Sequence, residues 1–119
     1  MAVWLGVLWL VAGAVMAAVG WLGANGKLRR NHWAGIRLPS TMASDDAWAA
    51  GHADGSRWLA GGGGLVATIG VLMLLFKPDD ATVAAISIVL AFFMVVIIAG
   101  AATAAHGAAK KATAQAQQP

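Results

Sequence analysis

Three long apolar runs divide the chain. Ala2 to Ala24, Trp58 to Phe76 and Ala81 to Ala105 contain no Asp, Glu, Lys, Arg or His. None alternates apolar with polar residues as a half-buried strand does, and each far exceeds the ~4–8 residues of a strand in a soluble core. As helices rising about 1.5 Å per residue they would reach roughly 28–37 Å, against a hydrocarbon core about 30 Å thick. In hydrocarbon each backbone N–H and C=O needs a partner within the protein, and a helix supplies one inside its own segment. The pattern therefore predicts an all-α, polytopic membrane protein with three transmembrane helices, at about 2–24, 58–76 and 81–105.

Polar residues gather in three places. The largest is the loop Asn25–Arg57 between the first and second spans. Gly35 and Pro39 punctuate its first half as irregular chain. In its second half Ser44 is a good N-cap, and Asp45 and Asp46 sit in the first turn, where the helix dipole favours negative charge. That predicts an amphipathic helix with Trp48 and His52, four residues apart, on one face, running through Arg57 into the second span. A tight turn, Lys77-Pro78-Asp79-Asp80, joins the second and third spans; Pro78 cannot continue a helix and Asp80 is placed to cap the next one. From His106 to Pro119 the chain holds no large apolar residue, which predicts a disordered polar tail following a single membrane domain over residues 1–105.

Charge adds an orientation. Of eight Lys and Arg residues, Lys27, Arg29, Arg30, Arg37 and Arg57 lie in the first loop and Lys110 and Lys111 follow the third span, whereas only Lys77 lies on the other side. Basic residues near span ends stay cytoplasmic, so the N-terminus is expected outside and the C-terminus inside. These cations orient the chain and meet lipid headgroups, which leaves no call for a nucleic-acid partner. The first run has no basic residue before Lys27 and is longer than a signal-peptide core, so a retained span is expected.

Composition removes several classes of function. The 119 residues are 60% hydrophobic and 11% charged and include no cysteine, which excludes disulfides and thiolate chemistry. No ionisable group lies inside a span, and that argues against a proton relay or ion-coupled carrier. Thr68, Ser87 and Thr103 carry hydroxyls within the spans that can bond back to their own helices. Trp4, Trp9 and Trp21 suit the membrane interfaces. Small residues recur at four-residue spacing in Gly13, Ala17, Gly20 and Ala24, and the run Gly61–Gly64, with Gly62 and Gly63 at its centre, is expected to pack closely against the first span. A local bend at those glycines, or the plain abundance of Gly and Ala, is the competing reading.

Candidate chemistry is confined to the loop. His32 and His52 lack a third ligand at a usable spacing, so no metal is expected. Asp45, Asp46 and His52 are acid–base groups without a nucleophile, a phosphate loop or a metal motif, so no enzyme and no cofactor are expected. Arg37 can pair with Asp45 or Asp46, or bind a phosphate through its planar fork. Trp33 and Trp48 read as anchors on the headgroups.

The loop motif, Asn31-x-x-x-Gly35-Ile36-Arg37-x-Pro39-x-Thr41 followed by Trp48-x-x-x-His52 and a span, resembles the SdpI/YfhL family of bacterial membrane proteins. The resemblance covers roughly residues 20–105. It implies a plasma-membrane protein without enzymatic activity, similar to immunity proteins that protect a cell from a secreted peptide toxin by protein binding, with those eight residues forming a partner- or lipid-binding loop. The bilayer, a membrane-protein partner or a second copy, and a peptide toxin are the partners it implies. An accessory subunit of a larger membrane complex is the alternative, and a small-molecule or lipid transporter a weaker one.

Overall fold

The computed structural model describes residues 1–118. Three helices account for most of them: α1 (Ala2–Ala24), α2 (Asp45–Phe76) and α3 (Asp80–Ala116), with a short 3-10 turn at Thr41–Ala43. No strand occurs among the described residues, and all three helices are long and apolar enough to cross a membrane. The protein is a multi-pass membrane protein. Helix α2 is central; α1 and α3 pack along it and scarcely touch each other.

The α1–α2 contact is a seam of glycines at seven-residue spacing. Gly6, Gly13 and Gly20 of α1 are buried opposite Ser56, Gly63 and Gly70 of α2. A seven-residue repeat keeps one stripe facing the partner as two helices coil around each other. A Cβ on Gly13 would lie 2.6 Å from the Gly63 carbonyl oxygen, and one on Gly63 would lie 2.5 Å from the Ala17 nitrogen. Backbone meets backbone here, and lipid-embedded helices gain attraction from such close approach because burial from water contributes nothing between them. Of the four consecutive glycines only Gly63 faces α1. Gly62 instead meets the side chain of Ile97 on α3, and a Cβ on Gly61 or Gly64 would meet open space.

Ser56 occupies a position in this seam that its neighbours give to glycine. Its hydroxyl is buried and has no hydrogen-bond partner. Ser56→Ala removes that unpaired group without adding volume, so it should raise the melting temperature in detergent by the equivalent of about 1 kcal/mol. A drop in melting temperature would show that the hydroxyl is bonded in the membrane.

Trp9 corrects the interfacial reading. Its indole N–H donates to the Ser87 hydroxyl of α3 at 3.0 Å, a link across the bundle. Ser87 thus accepts across the bundle, whereas Thr68 and Thr103 bond back to their own helices, at Gly64 and Ala99, both at 2.8 Å. At the turn, Lys77 ends α2 in the left-handed region and Asp79, one residue before the expected cap, accepts from the Thr82 N–H at 2.8 Å. Asp80 sits in the first turn, where its charge complements the dipole.

The expected disordered tail is helical: α3 continues to Ala116, and Pro119 lies outside the described residues. Alanine, the strongest helix former, dominates the segment. Ala105 and Ala109 are fully buried, and a Cβ on Gly55 would come within 2.6 Å of the Ala101 carbonyl. Small residues on both helices thus extend the α2–α3 contact past the apolar spans. At 32 and 37 residues these helices reach about 48 and 55 Å, more than a bilayer core needs, and they project together on the loop's side.

The signature loop and the groove beside it

Beyond Ala24 the chain turns at Gly26, in the left-handed region, and then runs along the N-terminal half of α2. Each signature residue has a definable task in holding it there. The Asn31 carboxamide oxygen accepts from the N–H groups of Trp33 and Ala34, both at 2.8 Å, and its amide donates to the Arg29 carbonyl at 2.7 Å. That closes a local turn of the kind Asn favours. Gly35 has φ +104°, and a Cβ there would lie 2.7 Å from His52 Nε2, so both backbone and space require glycine.

Ile36 follows, buried with Ala101 and Ala105 of α3 and packed by Leu38 and Leu59. Thr41 is fully buried; its hydroxyl accepts from the Leu38 N–H at 2.9 Å and donates to the Ile36 carbonyl at 2.7 Å. Pro39 is exposed, at the start of the turn closed by the Met42 N–H on the Leu38 carbonyl. Ser44 caps α2, accepting from the Ala47 N–H at 3.0 Å.

Trp48 and His52 form the centre. Trp48 is 3% exposed, and its indole N–H donates to the Leu28 carbonyl at 2.8 Å. Its ring stacks on His52 with centroids 4.0 Å apart. Trp48 is therefore a core residue of the loop, not a headgroup anchor, because a distant carbonyl satisfies the one polar atom that would otherwise keep it wet. His52 is also buried. Its Nε2 accepts from the Ile36 N–H at 2.9 Å, so the proton resides on Nδ1, which lies 2.8 Å from the Trp48 carbonyl. Burial lowers the imidazole pKa below its usual value, only partly offset by that carbonyl. With both nitrogens engaged the ring has no lone pair for a metal or a substrate proton.

The arginines sort differently from expectation. Arg37 pairs with neither Asp45 nor Asp46; its guanidinium donates to the His32 carbonyl. Asp45 is taken by Arg30 at 3.2 Å, and Arg30 also donates to the Met42 carbonyl. On the outer face of the loop stand Arg37 and Trp33, the latter 90% exposed. Both border a groove of about 550 Å³ walled by Ala12, Val15, Met16 and Val19 of α1 and Ile98, Ala101 and Ala102 of α3, with Leu59 as its floor. Residues Trp33 to Leu38 close one end, and among the described residues Arg37 is the one charged side chain lining it. The packing residues Gly13, Ala17, Gly20 and Gly63 lie on the seam behind one wall.

Sequence reasoning missed the groove. Trp33, two residues after the Asn31 turn that turns it outward, was its one available signal. No curated protein and no solved structure matches the chain. The model of the SdpI/YfhL protein family does match, over residues 27–105, about two-thirds of the length. The matched stretch holds the whole signature, all of α2 and the apolar part of α3, and the chain belongs to the SdpI/YfhL protein family.

Proposed function

We propose that this protein is a non-enzymatic, immunity-type component of the bacterial plasma membrane that shields the envelope against a peptide toxin or a comparable stress by binding a protein partner. One observation carries this reading. The polar atoms of Asn31, Thr41, Trp48 and His52 are bonded within the loop, while Trp33 and Arg37 face outward beside an apolar groove. Trp and Arg at the edge of an apolar recess are the residue types that dominate binding energy at protein interfaces. His52, fully bonded, supports a binding role over acid–base catalysis. The test is survival of a sensitive bacterium expressing the chain, challenged with membrane-active peptides. Trp33→Ala and Arg37→Lys should abolish protection at normal abundance, while Arg57→Lys should not, since there a charge at the span boundary suffices. Full protection by Trp33→Ala and Arg37→Lys would remove this reading.

An accessory-subunit role is favoured by a different surface. On the loop's side a cleft between α2 and α3 is lined by the small residues Ala50, Ala53, Ala104, Gly107 and Ala108 together with Asp54 and Lys111, a surface that another helix carrying polar groups could approach closely. A stable partner recovered by mild-detergent purification, and lost on Ala104→Leu, would support it.

Orientation is part of the proposal. The seven-to-one split of Lys and Arg supports a cytoplasmic loop and C-terminus, with the N-terminus outside. Single cysteines at the exposed positions Ala43 and Asp80 should differ on intact cells, an impermeant maleimide labelling only position 80. Labelling at 43 alone would invert the topology.

A further inference from the structure

The groove between α1 and α3 lies over Leu59, at the start of the apolar part of α2. In a bilayer such a recess is filled by what surrounds it, because lining atoms without neighbours forfeit their dispersion contacts. Three features select the occupant. The walls, Ala12, Met16, Val19, Leu59 and Ile98, are apolar. From Ala12 to Val19 they extend about 10 Å, within the ~15 Å depth of one leaflet. The volume of about 550 Å³, open on one side, suits a slender chain more than a helix about 10 Å across. At the loop end stands Arg37, anchored by its bond to the His32 carbonyl and exposed, with no carboxylate lining the groove. A planar guanidinium is the side chain best matched to a phosphate.

We infer that the groove is a binding site for one anionic glycerophospholipid of the leaflet on the loop's side. An acyl chain lies between α1 and α3, the phosphate meets Arg37, and the amphipathic Trp33 ring covers the glycerol region. The lipid would share Trp33 and Arg37 with the partner surface proposed above, so lipid and protein partner would occupy it in turn; lipid binding itself does not depend on the immunity reading.

Native mass spectrometry of the full chain in mild detergent tests it, with phosphatidylglycerol and phosphatidylethanolamine of identical acyl chains supplied in equal amounts. Both headgroups carry the phosphate, but in phosphatidylethanolamine an ammonium beside it opposes the Arg37 guanidinium, so one phosphatidylglycerol should be retained in about fivefold preference, the factor equivalent to one exposed charge interaction. Arg37→Gln should bring the two lipids to parity, whereas Arg29→Gln, outside the groove, should keep the preference. Ala102→Phe should fill the groove and strip both lipids; Ala12→Phe on the opposite wall does the same if the first variant loses its helical circular dichroism. Should neither fold, the Arg37→Gln comparison decides alone. Parity in the unaltered protein, or an unchanged preference in Arg37→Gln, overturns the inference. So does a dimer that Ala102→Phe disperses, which would give the groove to a second copy. The readout involves no toxin, so its failure and that of the immunity reading are separable.

Discussion

Gly13→Leu should detach α1 from α2. The added side chain would start against the Ala67 backbone and 2.6 Å from the Gly63 carbonyl, and neither can move without displacing a helix. Overfilling an ordinary core costs about 1–3 kcal/mol because side chains give way. Here nothing yields, so the loss should exceed about 3 kcal/mol, with a large fall in the melting temperature in detergent and aggregation on size exclusion. Gly64→Leu, whose Cβ meets open space, should melt like the unaltered protein. Gly62→Ala should fall between them, since its obstacle is the Ile97 side chain, which can change rotamer. Native-like melting of Gly13→Leu would mean that the two helices slide to a new register at little cost.

The second large effect belongs to His52. Replacing it with Phe keeps a ring against Trp48 but leaves the Ile36 N–H buried and unpaired, a cost of about 1–3 kcal/mol. The loop should loosen, and trypsin should cut faster at Arg29, Arg30 and Arg37 in detergent-solubilised protein. Acid should act on the same contact. The docked ring has its pKa lowered from 6.5, so well above that pH docked and undocked loops are both unprotonated and docking is at full strength. As pH falls below 6.5 the undocked state takes up the proton first, and docking weakens until the lowered pKa is reached. Melting temperature should therefore drop between pH 7.5 and 5.5, with a shallower slope in His52→Phe. Equal slopes would show that His52 does not carry the acid response.

Local rules rendered much of this molecule readable. Charge-free runs located the spans, because hydrocarbon leaves helix as the economical answer for the backbone. Ser44 with two acids behind it marked the start of α2 for a reason internal to one helical turn. What escaped depended on residues far apart in sequence. Trp48 next to a membrane reads as interfacial until Leu28, twenty positions earlier, supplies a carbonyl to its indole. The tail reads as polar and loose until Ser40, sixty-six positions earlier, bonds His106 and the bundle buries Ala109. The seven-residue register of Gly6, Gly13 and Gly20 was hidden by so many other small residues that four-residue spacings arise by chance. The groove follows from two adjacent glycines. Gly62 faces α3 and Gly63 faces α1, about 100° apart around α2, so the outer helices diverge and leave a space that no stretch of sequence encodes by itself.

The central position of α2 also sets an order on how the molecule comes into being. Helices α1 and α3 have little to hold them together except their common neighbour. Helix α1 precedes α2 by some twenty residues of loop, so its glycine stripe has no partner within this bundle until α2 follows. The loop finds its imidazole and indole at that moment, but Ile36 still lacks its cover from α3. Only α3, the last of the three, supplies the second wall, so the groove exists only once all three helices have come together.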